Sequence, residues 1–147
     1  MKKILLLALA ALCLAGCKKG GGADEQPQDY YFVGAKWVMD NATWMVTEDG
    51  FITLYGQKYY PSALQSAKKC YYFLDKTRCS CYWEDKDGYI IAGEDGALNY
   101  TYSEPDITIN EKDGSKTRYR FVNKWNFSLV KDDGTIDNRV TFHMTTP

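Results

Sequence analysis

The chain has 147 residues, 45% of them hydrophobic and 25% charged, with a net charge of −1. Beyond the N-terminal lysines, Lys68-Lys69 and Arg118 to Arg120 are the only local basic groups. A nucleic-acid footprint needs a basic patch or stripe, so that class is excluded.

Residues 1–16 have the three parts of a secretory signal: Lys2 and Lys3, an apolar run from Ile4 to Leu14, then Ala15 and Gly16. Those eleven apolar residues rise about 16 Å as a helix, roughly half of a ~30 Å hydrocarbon core, so the run is an export signal and not a span. Leu14-Ala15-Gly16-Cys17 resembles the lipobox of bacterial lipoproteins. The resemblance implies cleavage before Cys17 and lipidation of that cysteine, with palmitate-type acyl chains as the membrane attachment. Lys18 stands where inner-membrane lipoproteins of enterobacteria typically carry Asp, which by resemblance points to the outer membrane of the cell envelope.

Cleavage leaves 131 residues, with 16 basic against 19 acidic side chains, enough for one domain. Residues 17–29 form the lipidated cysteine and a tether, because they hold no large apolar side chain to offset chain entropy. The 4 Trp, 12 Tyr and 6 Phe all lie from Tyr30 onward, so a single domain is expected over 30–147.

Five Asp-Gly pairs, starting at Asp49, Asp87, Asp95, Asp113 and Asp133, punctuate that domain. Both residues tolerate the positive φ that tight hairpin turns demand, so each pair predicts a hairpin. Between the turns the pattern has period two: Leu98, Tyr100 and Tyr102 alternate with Asn99 and Thr101, and Val140, Phe142 and Met144 with Thr141 and His143. Strands are predicted at 36–47, 51–56, 70–75, 78–84, 89–92, 97–103, 106–110, 117–123, 125–131 and 139–145. Pro61 followed by Ser-Ala-Leu-Gln-Ser-Ala-Lys-Lys predicts one short helix near 61–69. A sheet with one apolar face must cover it, so the fold class is all-β: an antiparallel up-and-down meander closing into a small barrel.

Trp37, the stretch Thr43-Trp44-Met45-Val46-Thr47-Glu48-Asp49-Gly50-Phe51-Ile52-Thr53-Leu54, the Tyr-rich hairpins and the closing Thr141-Phe142-His143-Met144 together resemble the small lipocalin-like lipoproteins frequent in Bacteroidota. The Gly34-Ala35-Lys36-Trp37 spacing has one residue more than the Gly-x-Trp of that family. The resemblance implies a barrel able to bind a small apolar ligand, with Arg139 as a cation stacked on Trp37 or else a solvated residue. Trp44, Tyr100, Tyr102, Tyr119, Phe121 and Trp125 are then the candidate ligand contacts. The same inward set, with Phe127, Phe142 and Met144, is bulky enough to fill a barrel of about eight strands. A filled core would leave a protein-interaction or structural component of the envelope instead.

Cys70, Cys79 and Cys81 sit in a compartment that permits disulfides. A two-residue turn at Asp75-Lys76 would put Cys70 opposite Cys81 as a bridge, with Cys70 to Cys79 the competing pairing. Three thiols and the distant His143 are too few for a structural zinc site, and Cys79-x-Cys81 lacks the spacing of thiol oxidoreductases. Asp85-Lys86-Asp87-Gly88 begins like a calcium loop but has Ile90 at the sixth position, where Gly is required. No nucleophile elbow is present, and the acids concentrate in turns. The expectation is a monomeric, non-enzymatic binding module without metal or cofactor, whose partners are the membrane through Cys17 and a small ligand or an envelope protein.

Overall fold

The computed structural model describes residues 29–40 and 46–145; the signal sequence, Cys17, the tether up to residue 28 and Trp44 lie outside them. Alternation of large apolar with polar residues produces eleven strands: β1 (Lys36–Asp40), β2 (Ile52–Leu54), β3 (Gln57–Tyr59), β4 (Lys68–Phe73), β5 (Arg78–Glu84) and β6 (Ile90–Gly93). They continue with β7 (Leu98–Ser103), β8 (Asp106–Asn110), β9 (Lys116–Asn123), β10 (Asn126–Val130) and β11 (Ile136–Thr145). The expected helix is a single 3-10 turn at Pro61–Leu64.

Eight strands in the order β4-β1-β11-β10-β9-β8-β7-β5 form an antiparallel sheet that the β4–β5 pairing closes into a barrel. Two expected staves lie outside this wall. The 51–56 stretch became β2, which pairs only with β3 in a hairpin of its own, and β6 is an extra strand on β5. The N-terminal half of β5 pairs with β7 through Cys79 and Leu98, and its C-terminal half pairs with β6 through Trp83 and Ala92. Asp95-Gly96 therefore joins two strands that share a neighbour without pairing with each other.

The Asp-Gly turns differ in type from the expected tight pair. At 111–115 the Gly114 amide donates to Glu111 O and the Glu111 amide to Ser115 O, and 131–135 and 85–89 repeat this pattern. Only the glycine takes positive φ (+86° at Gly114, +83° at Gly134), so these are three-residue loops in which a type I turn is followed by a left-handed bulge. Asp113 and Asp133 stay right of the left-handed region and accept bonds from the backbone amide and hydroxyl of Ser115 and Thr135. The hairpin with two left-handed central residues is Tyr55-Gly56, between β2 and β3, where Tyr55 has φ +50°.

The inward faces form a stack of rings. Trp37, Tyr71, Phe73, Phe127 and Phe142 are wholly buried, with Tyr119 almost so. Phe127 sits at 5.0 Å from Phe142 and from Trp37 and at 5.2 Å from Tyr119, centroid to centroid. One barrel end is plugged by residues 30–35, whose Phe32 ring is fully buried against Phe73, Tyr102 and Phe121. The Trp37 indole donates to Phe32 O at 3.3 Å, and the Gly34 amide to Phe73 O at 2.8 Å, so the plug is bonded to the first barrel strand and to β4. The other end is covered by the β2–β3 hairpin and the 3-10 turn after it, which bury Ile52, Leu54 and Leu64 in the same core.

Candidate functional site

The sequence-derived ligand set divides three ways. Tyr100, Tyr102, Tyr119 and Phe121 do converge inside the barrel, but on one another: Phe121 lies 6.0 Å from Tyr102 and 5.5 Å from Phe127. Tyr100 donates its hydroxyl to Asp75 O at 2.6 Å, and Tyr119 meets Tyr71 hydroxyl to hydroxyl at 3.1 Å. Trp125 is not in the interior. It sits in the β9–β10 turn, 58% exposed, with its amide bonded to Asn123 Oδ1. The alternation that suggested an inward Trp125 runs through a turn and a register shift between Asn126 and Phe127, which reverses the face. Trp44 falls outside the described residues.

The cysteines also separate. Phe73 pairs with Cys79, so Cys70 stands opposite Tyr82 and Tyr71 opposite Cys81. Successive residues on a strand face opposite sides, which puts Cys70 on the outer face and Cys79 and Cys81 on the inner one. Neither expected bridge fits, and all three thiols are free and buried. Burial pushes the Cys79 thiol up to about 12 and also raises Cys81, so both are neutral at physiological pH. Arg139 does not stack on Trp37: it is paired with Asp137 at 2.7 Å and is solvated.

The polar feature of the interior lies at the hairpin-covered end. The period-two face that carries Phe73 and Tyr71 also carries Lys69, which is flanked in register by Met39 and Trp83. Its Nζ lies 5.3 Å from the Tyr71 ring, and among the described residues it makes no hydrogen bond or ion pair. Burial disfavours the ammonium, and the carboxylates of Glu111 and Glu94 act in the opposite direction. Lys69 lines a cleft of about 630 Å³.

That cleft opens between the β2–β3 hairpin, the start of β4, the end of β5 and the β8–β9 loop; Tyr55, Lys69, Glu94, Glu111 and Lys112 line it. Glu111 is fixed by the Thr117 hydroxyl at 2.6 Å. Tyr55 reaches in from the hairpin tip, its hydroxyl 3.3 Å from Cys81 Sγ, and burial raises its pKa far above the tyrosine range. A bulky residue in the left-handed region is a backbone outlier, costing roughly 1–3 kcal/mol, and it places this phenol at the barrel mouth. Lys69 was read from sequence as half of a solvated basic pair. Its parity with Tyr71 and Phe73 was the available signal that it points inward.

Among the described residues no group of three or more His, Cys, Asp and Glu gathers as a metal site. The geometry defines an eight-stranded antiparallel barrel with a ring-filled centre, one plugged end and one polar, hairpin-covered mouth. No protein family, curated protein or solved structure matches this chain.

Proposed function

We propose that the chain is a lipid-anchored, non-enzymatic binding module of the cell envelope, held at the outer membrane through Cys17, whose ligand site is the mouth cleft around Lys69. The observation that carries this reading is a lysine on the inner face of a barrel, lining a cleft of about 630 Å³ beside Glu94 and Glu111, with no protein acceptor among the described residues. Three donors without acceptors on a half-buried ammonium are costly unless water or a ligand satisfies them.

The apolar ligand expected from the lipocalin-like resemblance needs an open centre, which rings of Tyr100, Tyr119, Phe121 and Phe127 occupy. The mouth instead offers the amino groups of Lys69 and Lys112 and the carboxylates of Glu94, Glu111 and Asp113 within one lining. A matching ligand presents oxygen acceptors to Lys69 and hydroxyl donors to the two glutamates, which is the chemistry of a small saccharide unit. The cleft lies in the size range of small-molecule sites, about 300–1,000 Å³.

The test is calorimetric titration of the purified protein with a panel of mono- and disaccharides and, in parallel, medium-chain fatty acids. Binding of a saccharide that Lys69→Met abolishes, with the melting temperature retained, is the expected result. Binding of a fatty acid alone, or saccharide binding indifferent to Lys69→Met, overturns the proposal. The anchor is tested separately: radiolabelled palmitate enters the wild-type chain in its host and fails to enter Cys17→Ser.

A further inference from the structure

The strand wall ends at β6. On one side β6 is bonded to β5; on the other, among the described residues, no strand pairs with it. Ala92 stands opposite Trp83, and the Glu94 amide donates to Cys81 O, so the alternate Gly93 backbone between them faces away from β5. Exposed edges with unpaired backbone groups are templates for another strand, and proteins commonly blunt them with Lys, Pro or charge. β6 itself carries no Lys, Pro or charged side chain, although it is only four residues long and its pairing with β5 shifts register between Trp83 and Glu84. Its residues are Ile90, Ile91, Ala92 and Gly93, preceded by Tyr89, with Tyr89 73% and Ile90 66% exposed.

A second observation lies beside the edge. A shallow groove of about 370 Å³ runs next to β6 between Leu74, Tyr82 and Ile90, with Gly93, Gly96 and Ala97 in its lining. Gly93 packs closely on its cross-strand partner, since a Cβ there would meet Tyr82 Cβ at 3.1 Å. An apolar edge beside a groove with small residues fits alternate side chains of an added strand.

Charge selects the occupant. The loops at the two ends of β6 carry Asp85, Asp87, Glu94 and Asp95 against Lys86 alone. A second copy docked antiparallel would bring the 85–87 loop against the other copy's 94–95 loop, acid against acid. We propose that the β6 edge takes an extended segment of another protein, with apolar residues at alternate positions and lysine or arginine at both flanks. Strand addition supplies backbone bonds, the groove takes the alternate side chains, and the acidic loops fix the register of the basic flanks. Glu94 lines both this groove and the Lys69 cleft, whereas Ile90 and Gly93 line the groove alone, so a substitution at Ile90 tests this proposal apart from the saccharide site.

The experiment uses the full lipidated protein in detergent micelles and two synthetic peptides with the same alternating valine and threonine core, one flanked by lysines and one by glutamates. Backbone hydrogen exchange over residues 90–93 and fluorescence-detected affinity are read together. The expected result is slowed exchange on this stretch with the lysine-flanked peptide only, and affinity that falls as salt is raised. Ile90→Asn should weaken binding by about tenfold or more, since one buried isoleucine is removed from the contact. Ile90 is exposed in the free protein, so the variant should melt as the wild type does, and the wild-type exchange and salt data decide the matter if it does not. Equal binding of both peptides, or no change in exchange at residues 90–93, refutes the proposal. Protection that rises with protein concentration in the absence of peptide also refutes it, and assigns the edge to a second copy.

Discussion

Phe32 belongs to the plug and not to any strand, yet its ring is wholly buried and lies 4.9 Å from Phe73, 4.9 Å from Tyr102 and 5.3 Å from Phe121. Phe32→Ala removes the ring and leaves a hole whose walls are other rings held by the closed sheet, so little collapse is available to fill it. Large-to-small substitutions of this kind cost about 3–5 kcal/mol, and the aromatic neighbours place Phe32 toward the upper part of that range. Against a total stability of roughly 5–15 kcal/mol this is a large fraction. Urea unfolding followed by tryptophan fluorescence measures it directly, since Trp37 donates to Phe32 O and reports on the same end of the barrel. A loss below about 1 kcal/mol would show that residues 30–35 do not seal the barrel, and the account of a plugged end would be wrong.

Other outcomes follow from the same structure. Gly134→Ala meets no atom within 4 Å but must hold φ near +83°, so it should cost about 1–2 kcal/mol of unfolding free energy; no change would show that the loop relaxes to another turn. Cys70, Cys79 and Cys81 are free and buried, with Cys70 and Cys79 pushed up to about 12. Native protein at pH 8 should resist a thiol reagent and take up three equivalents over residues 29–145 in urea, whereas rapid native labelling or a disulfide-linked mass contradicts the register. Asp137 is held down to about 2 by its bonds to Arg139, and hydrogen bonds do the same to Asp75. A depressed folded pKa contributes stability above the unfolded value and loses it as pH falls through the folded one, so stability should decline from about pH 4 to about pH 2. Asp137→Asn should flatten part of that decline, and an unaltered acid profile would remove the ion pair from the account.

Alternation carried most of the barrel from the sequence, because a half-buried strand must show its two faces in the order of its residues. Eight staves lay where the period-two runs of 98–103, 106–110 and their neighbours put them, with shifted ends. The failures share one cause: parity is lost across turns. Between Phe73 and Cys79 the chain needs one residue more than the expected turn at Asp75-Lys76 allows, and that single residue moves Cys70 from a place opposite Cys81 to one opposite Tyr82. Trp125 failed the same way, in the turn that precedes Phe127. Asp-Gly marked loops correctly but not their type, since a right-handed Asp before a left-handed Gly also makes a hairpin.

The candidate site was harder to see. Large aromatics signal an interior, and here they do line it, but a ring stack that fills a barrel reads the same in sequence as one that surrounds a ligand. Lys69 was obscured by its neighbour: Lys68 points outward and Lys69 inward on the same strand, and two adjacent lysines look like one solvated group until the parity of Tyr71 and Phe73 is applied. Tyr55 gave no local signal at all, because a tyrosine in the first position of a left-handed turn defies the residue preference of that turn.

The mouth cleft is tested most directly by a two-dimensional NMR titration of the purified protein with the saccharide that calorimetry selects. The account predicts shifts confined to Tyr55, Lys69, Glu94, Glu111 and their strand neighbours, with the amides around Tyr100, Tyr102 and Phe121 unmoved. Shifts centred on Tyr100, Tyr102 and Phe121, with Lys69 and Glu111 silent, would contradict it and place the ligand in the barrel centre instead.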